Sequence, residues 1–202
     1  MKKSKQKTMG TIFIMAILVI AVAIGFWKIM ESKRTESQNE QKSKIEEVNE
    51  IIEKDFEANY PGTPREVVKM YSRISSCCYN QDLSDEELTL LAEKMRELFD
   101  EELLAENPKE KHIENLKKDA ETYHDEKRTI SSYTVDKNSS VEKKTIDGKE
   151  YASLRASYLV QENNSGYTKT YEEFILRADE KGHWKIVGWQ VVSNSQNSEE
   201  EE

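Results

Sequence analysis

Three histidines, His112, His124 and His183, are the side chains of this sequence best suited to acid–base or metal chemistry. Imidazole titrates near neutral pH and is a common metal ligand. None of the three belongs to an HxxxH pair, and no cysteine lies near them, so the spacing of a metal site is missing. His124 stands between Tyr123 and Asp125, but neighbours on a helix point in different directions. We therefore expect exposed histidines, no catalytic residue, no metal site and no cofactor.

The two cysteines, Cys77 and Cys78, are adjacent. A disulfide needs Cα atoms and side-chain vectors in a restricted geometry, which neighbours in a helix cannot easily supply. We expect both to act as small hydrophobic residues on the apolar face of a helix. An intermolecular bond or a redox role is the alternative. The sequence also lacks a phosphate-binding glycine loop and a serine-nucleophile motif, so nothing in it positively indicates an enzyme.

Polar side chains interrupt the apolar strands expected in the second half of the chain. The candidates for ligand binding are Arg155, Tyr171, Glu173 and Gln190. Polar groups that converge in a hollow can orient a small ligand. The alternative is that they line the solvent face of a sheet, with Arg155 and Glu173 as a cross-strand pair. We favour the alternative, because antiparallel sheets usually have one wet face.

Helices are expected in the first half of the domain that carries these residues. Two capping boxes, Thr63-Pro64-Arg65-Glu66 and Ser84-Asp85-Glu86-Glu87, mark helix starts. Apolar residues follow each box at helical spacing. The second helix is expected to run through Leu103 to the break at Asn107-Pro108, and a third helix follows up to about Lys127.

Beyond Lys127 the apolar period changes from 3.6 to 2, as half-buried strands require. Alternation is clearest from Ala152 to Val160, and Asp147-Gly148 predicts the tight turn of a β-hairpin. Strands joined by tight turns pair antiparallel. The fold is therefore expected to be α+β, with helices packed on one face of a curved antiparallel sheet.

The N-terminal residues predict a membrane anchor. Residues 9–30 include an uncharged run from Thr11 to Trp27, and the whole segment has about the 20 residues that a spanning helix needs. The tail 1–8 holds four lysines, which favours a cytoplasmic N-terminus and places the remaining chain outside. Ala21-Val22-Ala23 matches a signal-peptide cleavage site, but the apolar run continues beyond it, so we favour an uncleaved anchor.

The charge of the remaining chain limits its partners. Residues 31–202 hold 25 basic and 39 acidic side chains, a formal charge of −14. Such a surface repels phosphate backbones, so we expect no nucleic-acid partner. It also keeps the domain soluble.

The sequence divides into five segments. These are a cytoplasmic basic tail (1–8), a transmembrane helix (9–30), a polar spacer with a juxtamembrane amphipathic helix (31–58), an extracytoplasmic α+β domain (59–192) and a disordered acidic tail (193–202). The amphipathic helix carries Ile45, Val48, Ile52 and Phe56 at three- and four-residue spacing. We expect this stripe to pack on the domain; a short coiled coil that makes the chain a homo-oligomer is the alternative.

The order of the elements, helices first and then a meander that ends in a tryptophan-rich strand (183–192), resembles the nuclear-transport-factor-two-like, or cystatin-like, cone. The segments YPGTPREVVKMYSRISSCCYN (60–80) and RTISSYTV (128–135) are also similar to a family of uncharacterised bacterial single-pass membrane proteins. The resemblance covers residues 59–192. Its cone family includes enzymes that use an acid–histidine pair, small-ligand binders and membrane-tethered assembly domains, so it does not select one function.

We expect a non-enzymatic protein-interaction or accessory domain at the bacterial cell envelope, held outside the cytoplasm by a single span of the cell membrane. Its partners would be the lipid bilayer, through 9–30, and another membrane or envelope protein, because tethering raises the effective concentration of weak partners. A small-ligand-binding or sensor domain that uses the hollow of the cone is the alternative. An enzyme has less support than either.

Overall fold

The computed structural model describes residues 44–163 and 166–193. The chain divides into two units, Met1–Glu46 and Glu47–Glu202, and the second unit holds the described elements apart from the first residues of α1. The predicted basic tail and membrane segment, most of the spacer and nearly all of the acidic tail lie outside the described residues. Within the described part, no helix is long and apolar enough to cross a membrane.

Helix α1 (44–52) contributes to the core. The buried side chains of this helix and of the following turn are Val48, Ile51 and Phe56. Ile45 is 52% exposed. Arg73, on the next helix, forms ion pairs with Glu47 (3.0 Å) and Glu50 (2.9 Å). Most of the apolar stripe therefore packs on the domain, as expected from its spacing.

Helices α2 (Pro64–Asn80) and α3 (Asp85–Arg96) begin where the capping boxes predict. The Thr63 hydroxyl accepts a hydrogen bond from a backbone N–H of the first turn of α2 (3.2 Å). At the start of α3, Ser84 and Glu87 form a reciprocal capping box. Each box satisfies N–H groups that have no partner within the helix.

The second helix ends earlier than its apolar spacing predicts. After α3, a short helix α4 (Glu101–Glu106) precedes α5 (Lys109–Asp125). Between α3 and α4, Asp100 N donates to Ile186 O and Ile186 N donates to Leu98 O, both at 2.8 Å. These hydrogen bonds with Ile186 of the last strand take the place of hydrogen bonds within a continuous helix. The expected helix through Leu103 was wrong because this pairing is long-range and local periodicity does not reveal it.

The sheet has five antiparallel strands in the order β1-β3-β4-β5, and β2 pairs with β3 on the same side as β1. The strands are β1 (Arg128–Val135), β2 (Glu142–Ile146), β3 (Lys149–Glu162), β4 (Gly166–Ala178) and β5 (Trp184–Val192). A 3₁₀ turn, Asn138–Ser140, links β1 to β2. Asp147 and Gly148 join β2 to β3 with φ of 50° and 76°, which confirms the predicted hairpin turn.

Alternation along β3 defines two sides of the sheet. The buried residues of β3 are Ala152, Leu154, Ala156, Tyr158 and Val160. They face the helices and form the core with α1, α2 and α3. Successive side chains of a strand point to opposite sides, so the residues between them face away from the helices. The architecture is α+β, as predicted.

Candidate functional site

Aromatic side chains fill the space between the helices and the middle of the sheet. Phe174 on β4 is fully buried. Its ring lies 5.3 Å from that of Tyr71 and 6.0 Å from that of Trp189, and the rings of Tyr71 and Trp189 are 5.1 Å apart. Phe99 joins the same group, 5.9 Å from Trp189. This part of the helix-facing side is a packed core.

Glu172 lies on the same side of the sheet, two residues before Phe174. Strand β4 pairs Phe174 with Leu154 and Glu172 with Ala156, both of which face the helices. Glu172 is half-buried there, while its neighbour Glu173 faces the opposite side. Burial raises the pKa of Glu172, because the charged form loses hydration.

Three tyrosines, Tyr79, Tyr123 and Tyr158, interact electrostatically with this carboxyl group. A hydrogen bond with Tyr158 partly opposes the rise in the pKa of Glu172, and the Tyr158 hydroxyl is itself 2.8 Å from the Ser72 hydroxyl. The rings of Tyr79 and Tyr123 stack with centroids 4.5 Å apart. Burial raises the pKa of all three tyrosines, and the negative charge of Glu172 raises it further.

We call Glu172, Tyr79, Tyr123 and Tyr158 the Glu172 site. Among the described residues, no lysine or arginine contributes to the pKa of Glu172. The Arg128 guanidinium lies 6.0 Å from the centroid of the Tyr123 ring, so one ring of the site already attracts a cation. A carboxylate beside aromatic faces binds cations through its charge and through the ring quadrupoles. The arrangement is suited to recognition of a basic group.

The four ligand-binding candidates predicted from sequence lie on the side of the sheet that faces away from the helices. Arg155 Nε is 3.9 Å from Glu173 Oε1, which is the cross-strand pair expected for a solvent face. Gln190 Nε2 donates to Glu173 Oε2 at 3.2 Å. The Tyr171 ring is covered by Lys169, with 5.1 Å from Nζ to the ring centroid. Three of the candidates thus meet in a surface network.

His112 corrects one sequence prediction. It was expected to be exposed but is half-buried, and its ring packs edge-on against Phe99 at 5.5 Å. Its Nδ1 is buried without a hydrogen-bond partner among the described residues. Burial, and next the charge of Arg96, lowers its pKa. The segment between α3 and α4 brings Phe99 to this position, and the local sequence around His112 gives no sign of that contact.

The other two histidines differ from each other. His124 is exposed, as predicted. His183 is half-buried, which corrects the expectation of an exposed ring. It stacks on Tyr60 with centroids 4.4 Å apart, and its Nδ1 is 3.8 Å from Asp179. The Tyr60 contact comes from a segment more than a hundred residues away in sequence, so spacing could not predict it.

Both cysteines are buried, at 2% and 0% exposure, on the apolar face of α2. Burial raises the pKa of the Cys77 thiol to about 12 and raises that of Cys78 as well. Reactive cysteines need a thiolate near neutral pH. Cys77 and Cys78 therefore serve as small hydrophobic residues, which confirms the prediction.

A groove of about 580 Å³ lies between the end of α2, the start of α3 and α5. Its walls carry charges of both signs, including an ion pair of Lys117 with Asp85 at 3.2 Å. Cys78 and Ala120 lie at its base. In the described parts of the chain, no three potential metal ligands cluster. The groove therefore offers a surface with charges of both signs.

Sequence reasoning missed Glu172, although a signal for it was present. Phe174 and Leu176 are the large apolar residues of β4 that face the helices. Counting back by two from Phe174 gives Glu172, so the period of the strand assigns this glutamate to the inner side. The candidates were chosen by polarity alone, which does not distinguish Glu172 from Glu173.

Comparison with known proteins gives a family. No curated protein matches the chain. A family model with the description "Domain of unknown function (DUF6715)" matches residues 1–189. The match begins at the N-terminus, includes the predicted membrane segment and continues into β5. Since it spans most of the sequence, the chain belongs to the family described as a domain of unknown function, DUF6715.

Proposed function

We propose that this protein is a membrane-anchored, extracytoplasmic interaction domain that binds a basic side chain of another membrane or envelope protein at the Glu172 site. The observation that carries the proposal is the half-buried Glu172 carboxyl group beside stacked tyrosine rings, without a cation from the described residues to compensate it. Uncompensated buried charge is costly, and a partner's cation would remove that cost.

The anchor in this proposal is the segment 9–30. Its length and lack of charge suit a membrane span, and the four lysines of 1–8 favour a cytoplasmic N-terminus. The family match starts at residue 1, so this segment is part of the pattern that the family shares. The proposal gives the domain a cone-like sheet, in line with the resemblance to the nuclear-transport-factor-two-like proteins.

Binding of a basic side chain at the Glu172 site would change the protonation of Glu172. Approach of a lysine or arginine favours the ionised carboxylate, so the raised pKa of Glu172 falls on binding and a proton is released. Stacking of a cation on a tyrosine ring contributes about 0.5–2 kcal/mol, depending on how dry the contact is. Anchoring both partners in one membrane raises their effective concentration, so such a contact need not be strong.

The alternative is a small-ligand-binding or sensor domain that uses a hollow inside the sheet. The close packing of Phe174, Tyr71 and Trp189 supports the interaction surface over this alternative, because little room is left for a ligand among them. Acid–base catalysis has less support, since His112 contacts Phe99 and no contact between a histidine and Glu172 is seen among the described residues.

Photocrosslinking in membranes tests the proposal. A photoreactive phenylalanine analogue at Tyr123 is expected to form adducts with a protein partner in cells that make the full chain. Glu172→Gln should strongly reduce these adducts, because the neutral amide neither attracts a cation nor ionises. Glu173→Gln is the matched control: it removes the same charge on the other side of the sheet and should leave the adducts unchanged.

Equal adduct yields in the two glutamine variants, with folding verified by circular dichroism, would contradict the proposal. So would the absence of protein adducts from Tyr123 in every background. Adducts with a small molecule only, lost in Glu172→Gln, would support the ligand-binding alternative instead.

A further inference from the structure

The second half of β5 is a stretch of sheet edge that no charge, proline or hydrogen-bonded segment protects among the described residues. The edge of β1 is covered at Ile130, whose backbone N–H and C=O both bond to the side chain of Asn80 (2.7 and 2.8 Å). Strand β2 is short and carries Lys143 and Lys144. The start of β5 is paired with the segment before α4 through Ile186. Charges, short strands and covering segments are the usual means by which proteins block edge-to-edge pairing.

The second half of β5 has none of these devices. Residues 187–193 read VGWQVVS, without a charge or a proline. Val191 is 74% exposed and Trp189 is 37% exposed. No backbone hydrogen bond joins Trp189 or Val191 to another described segment beyond the sheet. An uncharged, apolar and unpaired edge is a template for another strand.

The backbone groups that such a strand would meet follow from the pairing of β4. The N–H and C=O of Ile186 point outward, so its partner Leu176 directs its own groups toward β3. Strand β4 pairs with β3 without a register shift. The backbone N–H and C=O groups of Phe174 and Glu172 therefore also point toward β3. Their partners on β5 are Trp189 and Val191. The N–H and C=O groups of both residues consequently point out from the free edge.

This edge is complementary to itself. In an antiparallel pair centred on Gln190, Trp189 lies opposite Val191 of a second copy on the helix-facing side, an aromatic and β-branched combination that stabilises sheets. On the other side, Val192 lies opposite Gly188, where an added Cβ would meet no atom within 4 Å. Both outward-facing residues then form hydrogen-bonded pairs, and Gln190 faces its own copy at a non-hydrogen-bonded position.

We propose that two copies of this chain associate through antiparallel pairing of the second half of β5, centred on Gln190. The pairing makes one continuous sheet across the two copies. It does not use the hydrogen bonds or rings of the Glu172 site and goes beyond the proposed function. The identical strands oppose no like charges within residues 187–193. Seven residues of one edge bury less than the roughly 1,200 Å² of standard stable interfaces, so the pairing rests on the membrane anchor of the proposed function, which raises the local concentration of the chain.

Disulfide crosslinking of the full chain in lipid vesicles tests this pairing and its register. At a non-hydrogen-bonded pair, Cα atoms are about 4.5 Å apart, within the range that a disulfide bridges. Gln190→Cys is therefore expected to form a covalent dimer under mild oxidation. Val192→Cys is the matched control on the same strand and the same side: its two copies would lie about four residues apart and should not crosslink. The native Cys77 and Cys78 are buried and should not interfere.

A second variant tests the backbone hydrogen bonds of the contact. The N–H of Val191 points away from the sheet, a position where proline is tolerated in an edge strand. Val191→Pro should keep the circular dichroism spectrum of the parent and abolish both the Gln190→Cys crosslink and the dimer mass seen by light scattering. Dimers that form equally from Gln190→Cys and Val192→Cys, or from neither, would overturn the proposal. Flotation of the vesicles measures membrane anchoring independently of the pairing. If the chain does not float, the same crosslinking in concentrated solution tests whether β5 pairs.

Discussion

Glu172 and Glu173 have the same side chain and adjacent positions, yet the sheet gives them different surroundings. Glu173 contacts Arg155 and Gln190 on the outer side, where ions are hydrated. Glu172 faces Tyr158 and the helices, where its charge is poorly hydrated. Such a difference between neighbours allows one of them to act in recognition while the other acts as a surface residue.

The raised pKa of Glu172 makes the stability of the folded chain depend on pH. Between 4.5, its ordinary value, and the raised value, the folded chain keeps a proton that the unfolded chain has released. The stability contributed by this group is therefore present below pH 4.5 and is lost as pH rises through that window. Glu172→Gln should raise the free energy of unfolding at neutral pH and change it little below pH 4.5.

Urea unfolding followed by tryptophan fluorescence measures this difference. Glu173→Gln serves as the control, because it removes the same charge on the outer side of the sheet. A loss of stability in Glu172→Gln at neutral pH would mean that the ionised carboxylate is compensated in the folded chain, which contradicts the account of the Glu172 site.

At the scale of elements, ion pairs of Arg177 help to hold the start of α4 against the sheet. Arg177 on β4 binds both carboxylate oxygens of Asp100, with 3.1 Å from Nε to Oδ2, and their side chains are only 11% and 8% exposed. Arg177 also bonds to Glu102 (2.9 Å) and to the Tyr151 hydroxyl (3.2 Å). These bonds join α4 to the outer side of the sheet.

Arg177→Met should destabilise the fold by about 3–5 kcal/mol, because the buried Asp100 carboxylate loses its only ion-pair partner among the described residues and keeps the N–H of Glu102 as a donor. Arg155→Met is the control: it breaks an ion pair with Glu173 that is about one-third exposed and should cost less than about 1 kcal/mol. Denaturant titration of both variants gives the comparison. Similar losses in the two would show that Asp100 does not depend on Arg177.

The elements also show which features local sequence can predict. Capping boxes predict the starts of α2 and α3, and Asp147-Gly148 predicts the hairpin turn, because each rests on bonds or backbone angles within four residues. The separation of α3 from α4 and the burial of His112 depend on contacts of Leu98–Asp100 with distant residues. The position of Glu172, in contrast, can be predicted from local sequence. Once Phe174 is taken as a core residue, the alternation of β4 assigns Glu172 to the helix-facing side of the sheet.

At the scale of the whole molecule, three features act together. The domain holds an acidic and aromatic site on one side of its sheet, an unprotected edge at β5, and an N-terminal segment with the composition of a membrane span. The first two are surfaces for weak contacts. Anchoring in a membrane is what would make such contacts effective, so both proposed contacts depend on the anchor and its orientation.

The most direct test is therefore the topology of the full chain in intact cells, measured by labelling with a membrane-impermeant maleimide. The two native thiols are buried and should remain unlabelled, so single introduced cysteines report position. Ser193→Cys, at an exposed position after β5, should be labelled in intact cells, whereas Ser4→Cys in the basic tail should react only after the cells are lysed. Labelling of both positions only after lysis, with the chain absent from the membrane fraction, would contradict a membrane-anchored extracytoplasmic domain.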